Sequence, residues 1–229
     1  MNIISTQYTL NTKAFEIYVS GCKGNPHCEG CFSPETWAFE QGEYFDNTYF
    51  EKLKTKITEF DSLIDNIMIF GGEPLDQDMS DFGILLSLLK DNFNKPIWVF
   101  THYELEKSLE ILGTHILNID FLKCGAYIPA LKVEKNNHYG INLATSNQQI
   151  YKLVKKEDKL QIIEKNNNQK ITTIIEKRLE ENKEKFGERY CPCSIVKDET
   201  TICQCQEFRE MEEGLCHCQL YKKTTKSLK

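Results

Sequence analysis

The chain has 229 residues, of which 27% are charged and 40% are hydrophobic, and its formal net charge is −6. This length and apolar content suit one large and one small domain with a packed core, and they exclude disorder over the whole chain. The acidic balance and the lack of a sustained Lys/Arg run exclude a protein that mainly grasps phosphate backbones, so we expect no nucleic-acid partner.

The first 150 residues alternate short β-rich runs with stretches of helical periodicity. The runs are rich in β-branched and aromatic residues, which is typical of buried strands. Strands separated by helices predict parallel βαβ units and an α/β domain with its site at the carboxyl ends of the strands. The predicted strands are residues 14–20, 66–70, 96–101 and the short run 119–122, and the predicted helices are residues 47–63 and 81–92.

The segment KNNNQK, residues 165–170, is polar and has no periodicity, which predicts a linker. We therefore expect a first domain at residues 1–164 and a second at residues 171–229. After the linker, apolar residues recur on one face of a helix that should end near Gly187. The second domain is expected to be small, mainly helical and rich in cysteine.

The sequence shows neither a signal for export nor a membrane-spanning segment. No charged leader precedes an apolar stretch at the amino terminus, and no segment reaches the ~18 apolar residues of a membrane span. We therefore expect a cytoplasmic protein without a membrane partner. In that compartment closely spaced cysteines are more often metal ligands or catalytic thiols than structural disulfides.

Nine of the ten cysteines fall into two groups, and the first lies on a glycine-containing loop directly after a predicted strand. Cys22, Cys28 and Cys31 are separated by five and two residues. Three thiolates can hold three corners of an iron–sulfur cube and leave the fourth iron open. A zinc site completed by His27 or by a distant side chain is the alternative.

The second group is a set of three Cys-x-Cys pairs. Six thiols exceed what one closed iron–sulfur cluster needs, so four could hold a cluster while two remain for disulfide chemistry. One or two zinc sites are the alternative. The pairs are Cys191 with Cys193, Cys203 with Cys205, and Cys216 with Cys218.

Several ordered motifs in residues 1 to about 152 resemble the radical S-adenosylmethionine enzymes, and within them the activating proteins of anaerobic ribonucleotide reductase. The family normally has three residues between the first two cysteines, and this chain has five. The matching motifs are the three cysteines with Phe32, ETWAF at 35–39, GGEPL at 71–75, IWVFTHY at 97–103, IDFLKCGAYI at 119–128 and TSNQQIY at 145–151.

The resemblance implies a partial (β/α) barrel-like domain with a [4Fe–4S] cluster on Cys22, Cys28 and Cys31. The cluster would pass one electron to S-adenosylmethionine, and the resulting 5′-deoxyadenosyl radical would generate a glycyl radical on the partner, an anaerobic ribonucleoside-triphosphate reductase. Turn formation, helix capping, strand ending and core packing are the alternative roles for the cofactor contacts. Those contacts would be Gly71, Gly72, Glu73, Thr101, Asn147 and Phe32.

The last sixty residues resemble the catalytic subunit of ferredoxin:thioredoxin reductase, which carries three Cys-x-Cys motifs ending in Cys-His-Cys. That resemblance implies a redox-active disulfide between Cys193 and Cys218 and a proton-transfer role for His217. The ligands of a second [4Fe–4S] cluster would be Cys191, Cys203, Cys205 and Cys216.

Together the two resemblances predict an oxidoreductase with two iron–sulfur sites. Ferredoxin or flavodoxin is the expected electron donor, and thioredoxin or the reductase itself is the expected thiol partner. Two alternatives stay open. One is a radical enzyme that acts on another substrate, with the carboxyl-terminal cluster as an electron relay, and the other is a zinc-stabilised interaction module.

Overall fold

A computed structural model describes residues 1–228, and the chain divides into two units, Met1–Ile150 and Tyr151–Lys229. In the first unit, helices alternate with the central strands, as the sequence predicts. Its elements are β1 (Asn2–Thr9), β2 (Ala14–Val19), β3 (Glu43–Tyr44), α1 (Asn47–Glu59), β4 (Asn66–Gly71), α2 (Met79–Asn92), β5 (Ile97–Phe100), α3 (Leu105–Leu112), β6 (Phe121–Cys124), β7 (Asn137–His138) and β8 (Ile141–Asn142).

The strands of this unit run in the order β3-β1-β2-β4-β5-β6. Strands β2, β4, β5 and β6 are parallel, whereas β1 is antiparallel to both β2 and β3. The α/β class with parallel central strands is therefore confirmed. Among the described strands β3 is a free end of the row, so the barrel-like architecture implied by the resemblance is not shown.

Alternation along the parallel strands places their most apolar side chains on one face. Phe15, Ile17 and Val19 of β2 are 0 to 2% exposed, as are Ile67 and Ile69 of β4. Helices α1 and α2 each begin at an aspartate whose side chain accepts backbone N–H groups of the first turn. The helices contribute buried residues to the core, namely Phe50, Leu53, Ile57, Phe82, Leu85, Leu86 and Leu89.

The second unit is built on an antiparallel sheet in the order β9-β10-β12-β11. Helix α4 ends where the sequence predicts, at Gly187, which has a φ of +88°. The cysteine-rich segment, residues 191–218, lies between α4 and β12. The elements are β9 (Gln149–Lys156), β10 (Lys159–Lys165), α4 (Gln169–Phe186), α5 (Gln206–Glu210), β11 (Gly214–Leu215) and β12 (Tyr221–Ser227).

The prediction of a mainly helical carboxyl-terminal domain is wrong. Strands β9 and β10 form a hairpin around Glu157, which has a φ of +51°, and β12 pairs along the whole of β10. Leu160, Ile162 and Ile163 of β10 are nearly fully buried, and this burial stabilises the sheet. The predicted linker, residues 165–170, lies inside this unit between β10 and α4.

Helix length bears on membrane association. The longest helix, α4, has 18 residues and carries many charged side chains. Within residues 1–228 no helix is both long enough and apolar enough to cross a bilayer.

Gly71 and Gly140 both have a positive φ, but only Gly71 is crowded by neighbouring backbone. Gly71 has a φ of +119°, and a Cβ there would lie 2.1 Å from the carbonyl oxygen of Val19; Gly140 has a φ of +88° and open space around it. We expect Gly140→Ala to cost about 1–2 kcal/mol of unfolding free energy. Gly71→Ala adds a clash with backbone and should cost more than about 4 kcal/mol in urea unfolding. Equal costs would contradict the close approach of β2 and β4.

Candidate functional site

The first three cysteines lie on the loop that follows β2, at the carboxyl end of a central strand. The Cys22 N–H donates to the carbonyl oxygen of Trp37 at 3.0 Å, and the Cys31 N–H donates to that of Cys28 at 3.1 Å. All three thiols are half-buried. The loop therefore presents three sulfurs at the edge of the sheet where the sequence predicts the site.

The five-residue gap between Cys22 and Cys28 is held at both ends. The Lys23 N–H donates to Oδ2 of the buried Asp76 at 2.5 Å. The His27 ring stacks on Trp37 with 4.1 Å between centroids, and its Nε2 lies 3.2 Å from the Cys22 carbonyl oxygen. Local contacts thus accommodate the two extra residues and occupy the His27 side chain.

Glu73 is a buried carboxylate at the end of β4, with only 2% of its side chain exposed. Its Oε1 accepts the Leu75 N–H at 3.0 Å. Its Oε2 accepts the backbone N–H of His102 at 2.8 Å and lies 2.7 Å from Nδ1 of the same residue. An ionised carboxylate has about four acceptor sites, so one site of Glu73 remains available.

His102 connects the cysteine loop to Glu73, a role that spacing along the chain did not reveal. Its ring hydrogen-bonds to both Cys22 and Glu73, and these two contacts raise the pKa of His102 to about 10. The three residues come from the ends of β2, β4 and β5, so only the parallel sheet brings them together. The sequence signal was indirect, namely the position of His102 just after a predicted strand.

Gly71 and Gly72 let the ends of β2 and β4 approach. A Cβ on Gly72 would lie 2.2 Å from the carbonyl oxygen of Gly21, to which the Glu73 N–H donates at 2.7 Å. The Gly72 N–H donates to the Val19 carbonyl oxygen at 2.9 Å. These glycines have a packing role in the protein itself, and a role in cofactor approach stays a prediction.

The other predicted cofactor contacts differ in their surroundings. Thr101 is buried, and its Oγ1 accepts the Tyr103 N–H at 3.1 Å. Asn147 donates from Nδ2 to the Ala126 carbonyl oxygen at 2.9 Å, whereas its buried Oδ1 has no hydrogen-bond partner. Phe32 is 95% exposed, so the core-packing alternative for this ring is wrong.

Lys123 is a half-buried cation near the same strand ends that the sequence did not single out. Its backbone carbonyl accepts the Thr101 N–H at 2.9 Å, and its Nζ donates to the Gly125 carbonyl oxygen at 2.6 Å. Burial lowers the pKa of Lys123 to about 8, and the nearby charges of Glu73 and Cys28 oppose this shift. An anionic group bound beside Lys123 would keep it protonated.

Five of the six carboxyl-terminal cysteines line one small pocket in the second unit, which is partly open to solvent. The Cys216 and Cys218 sulfurs are 3.6 Å apart, and the Tyr221 N–H donates to the Cys216 sulfur at 3.2 Å. Phe208 closes part of the pocket. The five lining cysteines are Cys191, Cys203, Cys205, Cys216 and Cys218.

The thiols of this pocket share protons. The Cys218 thiol hydrogen-bonds to Cys191 and Cys216, which lowers the pKa of both and raises the pKa of Cys218. Burial raises the pKa of Cys203 to about 12 and also raises that of Cys205. The lowered pKa favours the thiolate, which is the form that binds metals, at Cys191 and Cys216.

Cys193 and His217 are the accessible members of this region. Cys193 is exposed and is absent from the pocket lining, although its side chain hydrogen-bonds to Cys191. His217 is exposed and lines the pocket. Within residues 1–228 no three His, Cys, Asp or Glu side chains are arranged to hold one metal ion. The cysteines suit a metal through the type of their donor atoms and through their shared pocket.

Comparison with known proteins identifies the first unit. Residues 13–151 match the family model described as "4Fe-4S single cluster domain". A 123-residue stretch is 33% identical to the anaerobic ribonucleoside-triphosphate reductase-activating protein of Enterobacteria phage T4, covering 52% of this chain and 74% of the relative. The chain belongs to the family of anaerobic ribonucleotide reductase-activating proteins. An iron–sulfur cofactor is therefore supported.

This activating-protein homologue carries a second family match. Residues 142–229 match the model described as "Ferredoxin thioredoxin reductase catalytic beta chain", as the sequence predicts. No solved structure matches the chain. The two matches together cover both groups of cysteines.

The depressed pKa of Lys123 predicts a pH-dependent stability. The pKa of a lysine in an unfolded chain is near 10.4. Below pH 8 the folded protein must therefore carry a charged Lys123, which lowers the free energy of unfolding. This cost disappears as the pH rises from about 8 to 10.4. We expect the stability of Lys123→Met relative to the wild type to fall by about 3 kcal/mol across that range. Urea unfolding of the metal-free proteins measures this difference. The control Lys56→Met, at an exposed site on α1, should show no such slope.

Proposed function

We propose that the chain is a radical S-adenosylmethionine enzyme that generates a glycyl radical on an anaerobic ribonucleoside-triphosphate reductase. The observation that carries this proposal is the convergence of Cys22, Glu73 and His102 from three parallel strand ends. The named activity of the phage T4 relative supports the choice of partner. The cysteine-rich unit adds a thiol-reducing function.

In this proposal Cys22, Cys28 and Cys31 hold a [4Fe–4S] cluster. When bound, such a cluster supplies one electron and an open iron position for S-adenosylmethionine. The half-buried thiols and the anchored loop fit this role. His102 is a positioning residue, because its ring fixes Cys22 and Glu73 at the same time.

Glu73, Asn147 and Lys123 would each offer a polar group to S-adenosylmethionine. The free acceptor site of Glu73 would take an N–H of the ammonium group. The unpartnered Oδ1 of Asn147 is a buried acceptor, and a cofactor N–H or O–H donor would satisfy it. Lys123 would pair with a carboxylate. Phe32, with its exposed ring, would stack on the adenine, and Gly71, Gly72 and Thr101 would shape the wall of the site.

The second cluster would be a [4Fe–4S] centre on Cys191, Cys203, Cys205 and Cys216. These four cysteines line one pocket, and two of them have lowered pKa values. The remaining two, Cys193 and Cys218, would form the redox-active pair, with His217 as the proton carrier at the pocket mouth. The functional division then follows the two units, Met1–Ile150 and Tyr151–Lys229.

Thiol exchange at this pair would take place in two steps. The Cys193 thiolate, which is the exposed one, attacks a sulfur of the target disulfide, and the leaving target sulfur takes a proton. Cys218 then attacks the Cys193 sulfur, forms the Cys193–Cys218 disulfide and releases the second target thiol. Two electrons pass to the target, and two one-electron deliveries from ferredoxin or flavodoxin, with two protons from solvent, restore the dithiol.

The coupling of these two activities has a simple rationale. Anaerobic ribonucleotide reduction needs a radical to start and two electrons for each turnover. A cytoplasmic one-electron donor could serve both sites of this chain, and thioredoxin or the reductase itself would receive the thiol electrons.

Iron content tests the two-cluster proposal. Anaerobically prepared wild type should contain about eight irons and eight sulfides, two cubes of four. Cys28→Ser removes one of three ligands, so we expect about half the iron and no release of 5′-deoxyadenosine from S-adenosylmethionine under a strong reductant. Cys124→Ser is the control, because Cys124 belongs to neither cysteine group and its buried sulfur contacts the Ser108 hydroxyl. Zinc in place of iron would overturn the proposal.

Cys193→Ser separates the two activities. Because Cys193 is the proposed attacking thiol, we expect its loss to slow reduction of a disulfide substrate at least 100-fold. Because Cys193 belongs to neither the pocket lining nor the first cysteine group, release of 5′-deoxyadenosine should stay within twofold of wild type. Both are measured anaerobically with the same reductant. Loss of both activities would argue against independent sites.

A further inference from the structure

Two consecutive apolar side chains stand in solvent beside the exposed cysteine. Ile195 is 98% exposed and Val196 is 59% exposed, in a unit whose other apolar residues mostly pack in a core. Single exposed apolar residues are ordinary on protein surfaces, but an adjacent pair with almost no cover marks a candidate contact site. We call Ile195 and Val196 the apolar tip.

The backbone that carries the apolar tip is held by a network of hydrogen bonds. The Lys197 ammonium donates to the carbonyl oxygens of Ser194 at 2.7 Å and Cys191 at 3.2 Å. The Val196 carbonyl oxygen accepts the Ser194 hydroxyl at 3.0 Å and the Thr201 hydroxyl at 3.1 Å. The tip is therefore presented on an ordered loop, and less conformational entropy is lost when a partner covers it.

The loop also closes at its base. The Cys191 N–H donates to the Thr201 carbonyl oxygen at 2.7 Å, and the Asp198 side chain accepts the Thr200 N–H at 2.9 Å. Residues 191–201 thus form one closed loop that carries both the apolar tip and Cys193. Because Ile195 follows Cys193 by two residues, their Cα atoms lie within about 7 Å.

We propose that the apolar tip is the docking contact for a protein disulfide that Cys193 attacks. The inference deepens the thiol-reducing function proposed above and rests on it. The occupant is a folded protein whose disulfide lies beside apolar surface, because any sulfur that reaches Cys193 brings its neighbouring surface against Ile195. A small disulfide is too short to cover Cys193 and the tip together.

The experiment compares a protein disulfide with a small one. Anaerobically prepared full-length protein, supplied with a one-electron reductant for repeated turnover, is mixed with oxidised thioredoxin or with oxidised glutathione. We expect Ile195→Ser and Val196→Ser each to raise the KM for thioredoxin about tenfold, which corresponds to about 1.4 kcal/mol. The rate of both serine variants with oxidised glutathione should stay within twofold of the wild-type rate. The variant Ile195→Leu keeps an apolar side chain and should keep the wild-type KM for thioredoxin.

Ile174→Ser is the matched control, since Ile174 is 55% exposed on α4 of the same unit. It should leave both rates unchanged. Unchanged thioredoxin kinetics in Ile195→Ser would overturn the docking contact and leave thiol exchange intact. Wild type that reduces neither disulfide would overturn the thiol function and the docking contact with it. A change in oligomeric state by sedimentation, without a change in KM, would assign the tip to a second copy and overturn the proposal.

Discussion

The first site depends on how closely the ends of two parallel strands approach. Gly71 and Gly72 have no side chains where Val19 and Gly21 present their carbonyl oxygens, so the Glu73 N–H can donate to the Gly21 carbonyl oxygen at 2.7 Å. This contact sets the cysteine loop beside the buried carboxylate. With any larger residue the strand ends would separate, and the loop would lose its position over the sheet.

The close approach of β2 and β4 also places hydrogen-bond partners around the buried Glu73 carboxylate. Glu73 is almost fully buried, and its cost of desolvation is offset by two backbone N–H donors and by the His102 ring. His102 in turn meets Cys22. Each group is therefore held in place by another.

The second unit brings several cysteine thiols together in one pocket. The Cys218 thiol hydrogen-bonds to Cys191 and Cys216 and lowers the pKa of both, so burial and thiolate formation are compatible in this pocket. Lys223, from β12, is buried nearby and donates to the carbonyl oxygens of Phe208 and Met211. It anchors the segment that follows Cys205 and keeps the pocket wall in place.

The sequence by itself determined the central strands, helices α1, α2 and α4, and both groups of cysteines, because periodicity and ligand spacing are local properties. Only the tertiary structure decided that His102 and Lys123 belong to the first site and that Cys193 alone stands outside the pocket. The β9–β10 hairpin was also missed, since its stability depends on pairing with β12, sixty residues from β10 in sequence. Contacts between distant segments depend on the packed sheet, which local pattern does not encode.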